Sequence, residues 1–209
     1  PILSDGAAAT SGKFASLRGL PSVTPMAERM GLARDIALLE MTGAAYHADQ
    51  ITTARALPAL ERAKRNGFDV TAGISMHHLT LNELDVADYR TFFKVKPPLR
   101  SEDDRQAVLE ALRTGLIDIV GSFHTPQDEE SKRLPYEEAA SGAVGLETML
   151  PVLLRLVHSG DLDLPTLFRA MTLNPARRLG LGSEPDLSPG GGGGDVALAL
   201  GGGLKAGGL

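Results

Sequence analysis

The 209-residue chain is 43% hydrophobic, 22% charged and 4% aromatic, a balance that excludes a disordered, collagen-like or membrane-embedded protein. A net charge of -5 argues against a broad nucleic-acid-binding face, and the lack of cysteine removes disulfides, thiolate metal sites and thiol nucleophiles. No basic, apolar leader follows Pro1, so the expected compartment is the cytoplasm, with neither membrane nor nucleic acid as partner.

Residues 1–20 are small and polar without a clear period and read as a loop. Thr24-Pro25 then opens a helix, with Glu28 spaced to complete a capping box, an apolar run from Met30 to Met41, and Gly43 as the stop. The segment 44–51 is a strand candidate. The helix after it, up to Asn66-Gly67, carries Pro58 in its first turn. Residues 68–74 and 92–95 are further strand candidates, the first stopping at Ser75 and His77-His78, the second at Pro97-Pro98. Ser101 and Asp104 form a cap pair for a helix that runs to Gly115. The apolar run 116–120 has the pattern of a strand buried on both faces. A polar excursion over 123–141 exceeds an ordinary connection, and loops of that length are usually functional or linkers. Leu146, Met149, Leu150, Leu153, Leu154 and Val157 recur at helical spacing, and two short helices follow at 166–171 and 175–179.

Short buried strands alternating with helices predict an α/β fold built on a parallel sheet or barrel. The units present amount to about half of an eight-stranded barrel, which alone would expose two sheet edges and its core. Further residues are therefore expected before Pro1. Eleven of the 24 glycines fall within residues 182–209, setting this segment apart from a domain over 1–181.

Five histidines carry most of the chemical potential. His158 ends a helix, where a cation complements the helix dipole. His47 lies inside a strand and reads as a satisfied core residue. His77-His78 sits at a strand end, either with one ring binding a divalent metal or with both hydrogen-bonded in a loop. His124 begins the long loop. A metal hydrolase needs several converging ligands and an acid/base group, yet the strand ends offer only Asp49, with Asp118 inside its strand. Asp128-Glu129-Glu130 with Lys132-Arg133 reads as a solvated loop face. No phosphate-binding loop or nucleophile elbow occurs.

Several blocks in order resemble the C-terminal part of the dihydroorotase family, within the cyclic amidohydrolases. They are Gly19-Leu20-Pro21, Arg34-Asp35, Thr52-Thr53-Ala54, His77-His78-Leu79, residues 93–100, residues 134–139, Gly145-Leu146-Glu147-Thr148 and Asn174-Pro175-Ala176-Arg177. The resemblance runs from about Gly19 to Leu181. It implies a (β/α)8 TIM barrel of the amidohydrolase type, roughly its second half present, with a small β-sandwich represented by residues 182–209. It also implies a two-zinc site with a bridging carboxylated lysine and a strand-end Asp that moves the proton during ring opening.

The first-strand His-x-His and the bridging lysine of that pattern would precede Pro1. Of the positions present, His78 matches a metal-binding His, but Gln50 stands where the family has another. The family's Asp-His-Ala-Pro-His reads Phe123-His124-Thr125-Pro126-Gln127, placing Phe at the catalytic Asp and Gln at a substrate-contacting His. Lys96 replaces a substrate-contacting Asn. The resemblance thus implies no catalytic residue here, with His78 a vestigial metal position and Lys96, His124 and Gln127 a vestigial substrate pocket. The expected role is that of a non-catalytic, oligomeric dihydroorotase-like partner of aspartate carbamoyltransferase, with no cofactor. The alternative is an active zinc-dependent dihydroorotase or cyclic amidohydrolase, drawing on His78 with His47 or Asp49. A third reading is a small-molecule module in which Lys96, His78 and His124 line an anion pocket. In the family the chain after Leu181 returns to the sandwich. The Gly runs around Pro189-Gly190 and Asp195-Val196 keep that frame with side chains replaced, as if residues there had been written as Gly without being identified.

Overall fold

A computed structural model describes residues 6–181. The segment 182–209, with its expected sandwich strand, lies outside the described residues. Two parallel sheets are present: a two-stranded pair of β1 (Ala9–Thr10) and β2 (Ser22–Val23), and a three-stranded sheet in the order β3 (Tyr46–Ala48), β4 (Val70–Ser75), β5 (Ile119–Gly121). Sequential parallel strands joined by helices are the repeating unit of a (β/α) barrel, here partial among the described residues. Register sets Ala48 beside Ala72 and Ile74 beside Val120.

Helices α1 (Lys13–Arg18), α2 (Met26–Thr42), α3 (Leu57–Arg65), α4 (Met76–Thr80), α5 (Glu102–Arg113), α6 (Glu129–Lys132), α7 (Met149–His158), α8 (Leu164–Met171) and α9 (Leu173–Arg178) complete the chain order. Residues 1–20, read as a loop, therefore hold a strand and a helix. Residues 92–95, read as a strand, instead begin inside a one-turn 3-10 helix at Thr91–Phe93 and make no sheet ladder. Their apolar residues are used otherwise, since Phe93 and Val95 pack on a small cluster around Leu99 and Tyr136.

The main core lies on one side of the three-stranded sheet. Ala48, Ala72, Ile74 and Val120 meet Leu32, Ile36 and Leu39 of α2, together with Leu60 of α3, Val108 and Leu112 of α5, Leu153 of α7 and Leu167 of α8. The opposite, inner side carries His47, Asp49, Thr71, Gly73 and Gly121. Pro58 is accommodated because it stands in the first turn of α3, where its missing N–H has no helical partner to lose.

Candidate functional site

The ends of β3, β4 and β5 converge on the face where barrel enzymes place their chemistry. A small cavity of about 260 Å³ opens there, lined by His47, Asp49, Gly73, Ile119, Ser122 and Phe123. His47 is therefore on the inner surface and not in the core. Its Nδ1 lies 2.8 Å from the Thr71 hydroxyl, and burial lowers its pKa, opposed by the neighbouring Asp49 carboxylate.

His77 and His78 lie in α4, directly after β4, and both are buried. Ser75 Oγ accepts from the His77 backbone N–H at 3.0 Å and lies 3.1 Å from His77 Nδ1, and His77 Nε2 lies 3.0 Å from the Val144 carbonyl. His78 Nε2 lies 3.1 and 3.3 Å from the carbonyl oxygens of Pro97 and Pro98, so this nitrogen carries the proton. Its Nδ1 is then a buried lone pair without a hydrogen-bond partner among the described residues. Burial, with the Arg100 charge second, pushes the His78 pKa down to about 3.

His124 Nδ1 accepts from the backbone N–H groups of Gly145 and Leu146, each at 3.1 Å. It thereby fixes the Gly145-Leu146-Glu147-Thr148 block ahead of α7. Lys96 and Gln127 are exposed. Lys96, His78 and His124 line neither the small cavity nor the larger cleft of about 1010 Å³ between α4, α7 and the long loop, which holds Gln127 beside Arg105 and Arg155. Lys96, His78 and His124 therefore share neither of these two cavities, with His78 Nε2 and His124 Nδ1 engaged by backbone groups. The larger cleft mixes apolar side chains with both signs of charge and reaches the end of β4 through Met76 and His77.

The long loop is tethered from within. Lys94 Nζ donates to the carbonyls of Glu137 and Ala139, and Lys132 Nζ to those of Thr91 and Ala140, all at 2.7–2.9 Å. Lys132, read as part of a solvated face, is buried because it serves these carbonyls. Asp118 is likewise structural, since it pairs with Lys64 at 2.7 Å and accepts the Ala72 backbone N–H.

Sequence reasoning did not find the polar network behind β3. Arg100, 4% exposed, donates from Nε to Thr52 Oγ1, from one terminal nitrogen to Thr10 Oγ1, and from the other to Glu28 Oε2 at 3.2 Å. Glu28 also accepts the backbone N–H groups of Thr52 and Thr53, and Asp104 accepts the Thr53 hydroxyl and the Ala54 N–H. Three successive backbone donors after the strand are thus held by two carboxylates. Glu28 makes no capping box, because its side chain is taken by this long-range network, while Thr24 Oγ1 accepts the Met26 backbone N–H at 3.3 Å at the start of α2.

No family model matches the chain. It is 42% identical over 175 residues to the dihydroorotase of Wolbachia sp. subsp. Brugia malayi (strain TRS), a match that covers 83% of this chain and 40% of that protein. It is 43% identical over 182 residues to the dihydroorotase of Anaeromyxobacter dehalogenans (strain 2CP-C), covering 86% and 41%. Over most of its own length, then, the chain is similar to curated dihydroorotases. It spans about two fifths of the length of those curated relatives. Among solved structures, the L-hydantoinase (dihydropyrimidinase) from Arthrobacter aurescens superposes with a TM-score of 0.75 at 28% identity, over 82% of this chain and 39% of that one.

The described residues do not supply a complete zinc centre by themselves. No group of three or more His, Asp or Glu among them is placed to hold a metal ion. His78, with Nε2 donating to backbone carbonyls and Nδ1 a buried lone pair without a partner among the described residues, has the arrangement of one ligating imidazole, but Gln50 supplies only a neutral amide, a poor zinc ligand compared with imidazole. Phe123, just beyond β5, adopts a left-handed backbone with φ 45°. A Cβ on Gly121 would stand 2.8 Å from Phe123 Cε2, so the ring lies flush on the glycine. Gly121→Ala is expected to displace the ring at a cost of about 1 kcal/mol. In a Phe123→Ala background the same change should cost almost nothing, and a double-mutant cycle in urea measures the difference.

Proposed function

We propose that this dihydroorotase-like chain belongs to pyrimidine synthesis as a non-catalytic protein, serving as a structural partner of aspartate carbamoyltransferase. The observation that carries this reading is Phe123 lying over Gly121 at the end of β5. An aromatic ring can neither ligate a metal nor accept a proton, and loss of a general base alone removes roughly 10²–10⁴-fold in rate. Gln50 compounds the loss. The polar network around Arg100, by contrast, is complete, which supports retention of the frame for a role other than turnover.

The test uses the full-length chain. It is expected to purify without stoichiometric zinc, to show no turnover of dihydroorotate, and to co-purify with the carbamoyltransferase. Stoichiometric zinc with dihydroorotate hydrolysis to carbamoyl-aspartate would establish the active-enzyme alternative. Normal assembly and activity of the carbamoyltransferase after deletion of the gene would remove the structural role.

A further inference from the structure

We propose that His124 is a pH-operated latch on the strap 145–148. The neutral ring holds the strap; the charged ring lets it go and pairs with Glu147, loosening the rim of the large cleft. The proposal is independent of whether the chain is catalytic. His124 Nδ1 faces two backbone donors, the N–H groups of Gly145 and Leu146, each at 3.1 Å. A nitrogen between two donors carries a lone pair, which puts the ring proton on Nε2. The Glu147 carboxylate stands 3.8 Å from the same Nδ1.

These two arrangements exclude each other. A proton on Nδ1 ends its role as acceptor, so the Gly145 and Leu146 N–H groups lose their partner and face a positive ring, while Glu147 gains an ion pair. The ring is partly exposed, and histidine is the side chain whose charge changes between pH 5 and 8. Among the described residues, Glu147 is the only charged group within ion-pair distance of His124, and the other titratable ring on this stretch is His77. His77 Nε2 donates to the Val144 carbonyl, a contact that a charged imidazole keeps, so acid breaks the hold on one side only. Ala143 is tied separately, its carbonyl accepting the Thr125 N–H at 2.9 Å. The strap itself has little else, for α7 begins without a side-chain cap. Gly145 rests directly on the chain leaving β5, since a Cβ there would stand 2.3 Å from the Ser122 carbonyl oxygen. Val144 and Thr148, at the two ends of the strap, line the large cleft, so release is felt at its rim.

Amide hydrogen exchange on the full-length chain, expressed as protection relative to the unfolded-chain rate at each pH, reads the latch directly. Between about pH 8 and 5, protection of Gly145 and Leu146 should fall by roughly tenfold or more, while Leu153 within α7 keeps its protection. His124→Asn, whose side-chain oxygen accepts without titrating, should abolish the step and stay protected in acid. His124→Ala should leave both amides unprotected at either pH. Glu147→Gln removes the carboxylate that draws the proton and should move the step to lower pH. Unchanged far-UV circular dichroism would show that the variants fold. The proposal is overturned if wild-type protection is flat across this range, if Leu153 shares the loss, or if His124→Asn keeps the step. Full protection in His124→Ala, or a step at unchanged pH in Glu147→Gln, would equally overturn it.

Discussion

Arg100→Met is expected to lower the stability of the chain by about 3–5 kcal/mol, seen as a lower urea midpoint at unchanged slope. The guanidinium is 5% exposed, its partner Glu28 11%, so the substitution leaves a carboxylate without its counter-charge in a nearly dry site. Thr10 and Thr52 lose a donor at the same time. Lysine should rescue little. Its single ammonium cannot reach three acceptors that the planar fork of arginine addresses together. The loss should register across the whole transition, because the network ties β1, α2, the segment after β3 and the start of α5 into one unit.

Acid should destabilise the protein through His78, and His78→Gln should remove that part of the pH dependence. The ring is held neutral in the fold, with its pKa pushed down to about 3 by burial, against roughly 6.5 in an unfolded chain. Its stabilising contribution is therefore fully present above pH about 6.5 and is lost as pH falls toward 3. The difference corresponds to on the order of 5 kcal/mol as an upper bound, since the fold relaxes before a proton is forced onto a buried ring. His47 and His77 shift in the same direction, so the decisive measurement is the difference between wild type and His78→Gln in the slope of unfolding free energy between pH 7 and 4. Equal slopes would refute the assignment. The glutamine amide can still donate to the Pro97 and Pro98 carbonyls, which keeps the variant foldable.

What the sequence made legible was local. The Ser101–Asp104 cap forms with the serine accepting the Asp104 N–H, and Gly43 ends α2 in the left-handed conformation. The helical stripe around Leu153 leads into the main core, whereas the run 116–120, read as a strand buried on both faces, is a strand only over Ile119–Gly121, with Val120 in the core and Ile119 lining the small cavity. Glu28 shows where such reading stops. Its spacing from Thr24 fits a capping box, yet a partner 72 residues away in Arg100 takes the carboxylate, and no local pattern encodes that separation. The segment 92–95 fails for a related reason, because its apolar residues serve a small side cluster and not a sheet. At the candidate site, residue identities such as Gln50 and Phe123 were readable from the resemblance. The hydrogen bonds that occupy His78 and His124 were not, since their acceptors and donors are backbone groups and any sequence supplies those.

The clamp on residues 52–54 has a consequence for how this chain can change over generations. Glu28 and Asp104 fix the backbone just after position 50, so its course does not depend on what side chain Gln50 carries. A residue there can be exchanged while the chain keeps its path, and the same holds for exposed Lys96 and Gln127, which lie outside the clamp. Architecture and chemistry are thus separately heritable in this protein. Selection can relax on the second while the first passes on intact.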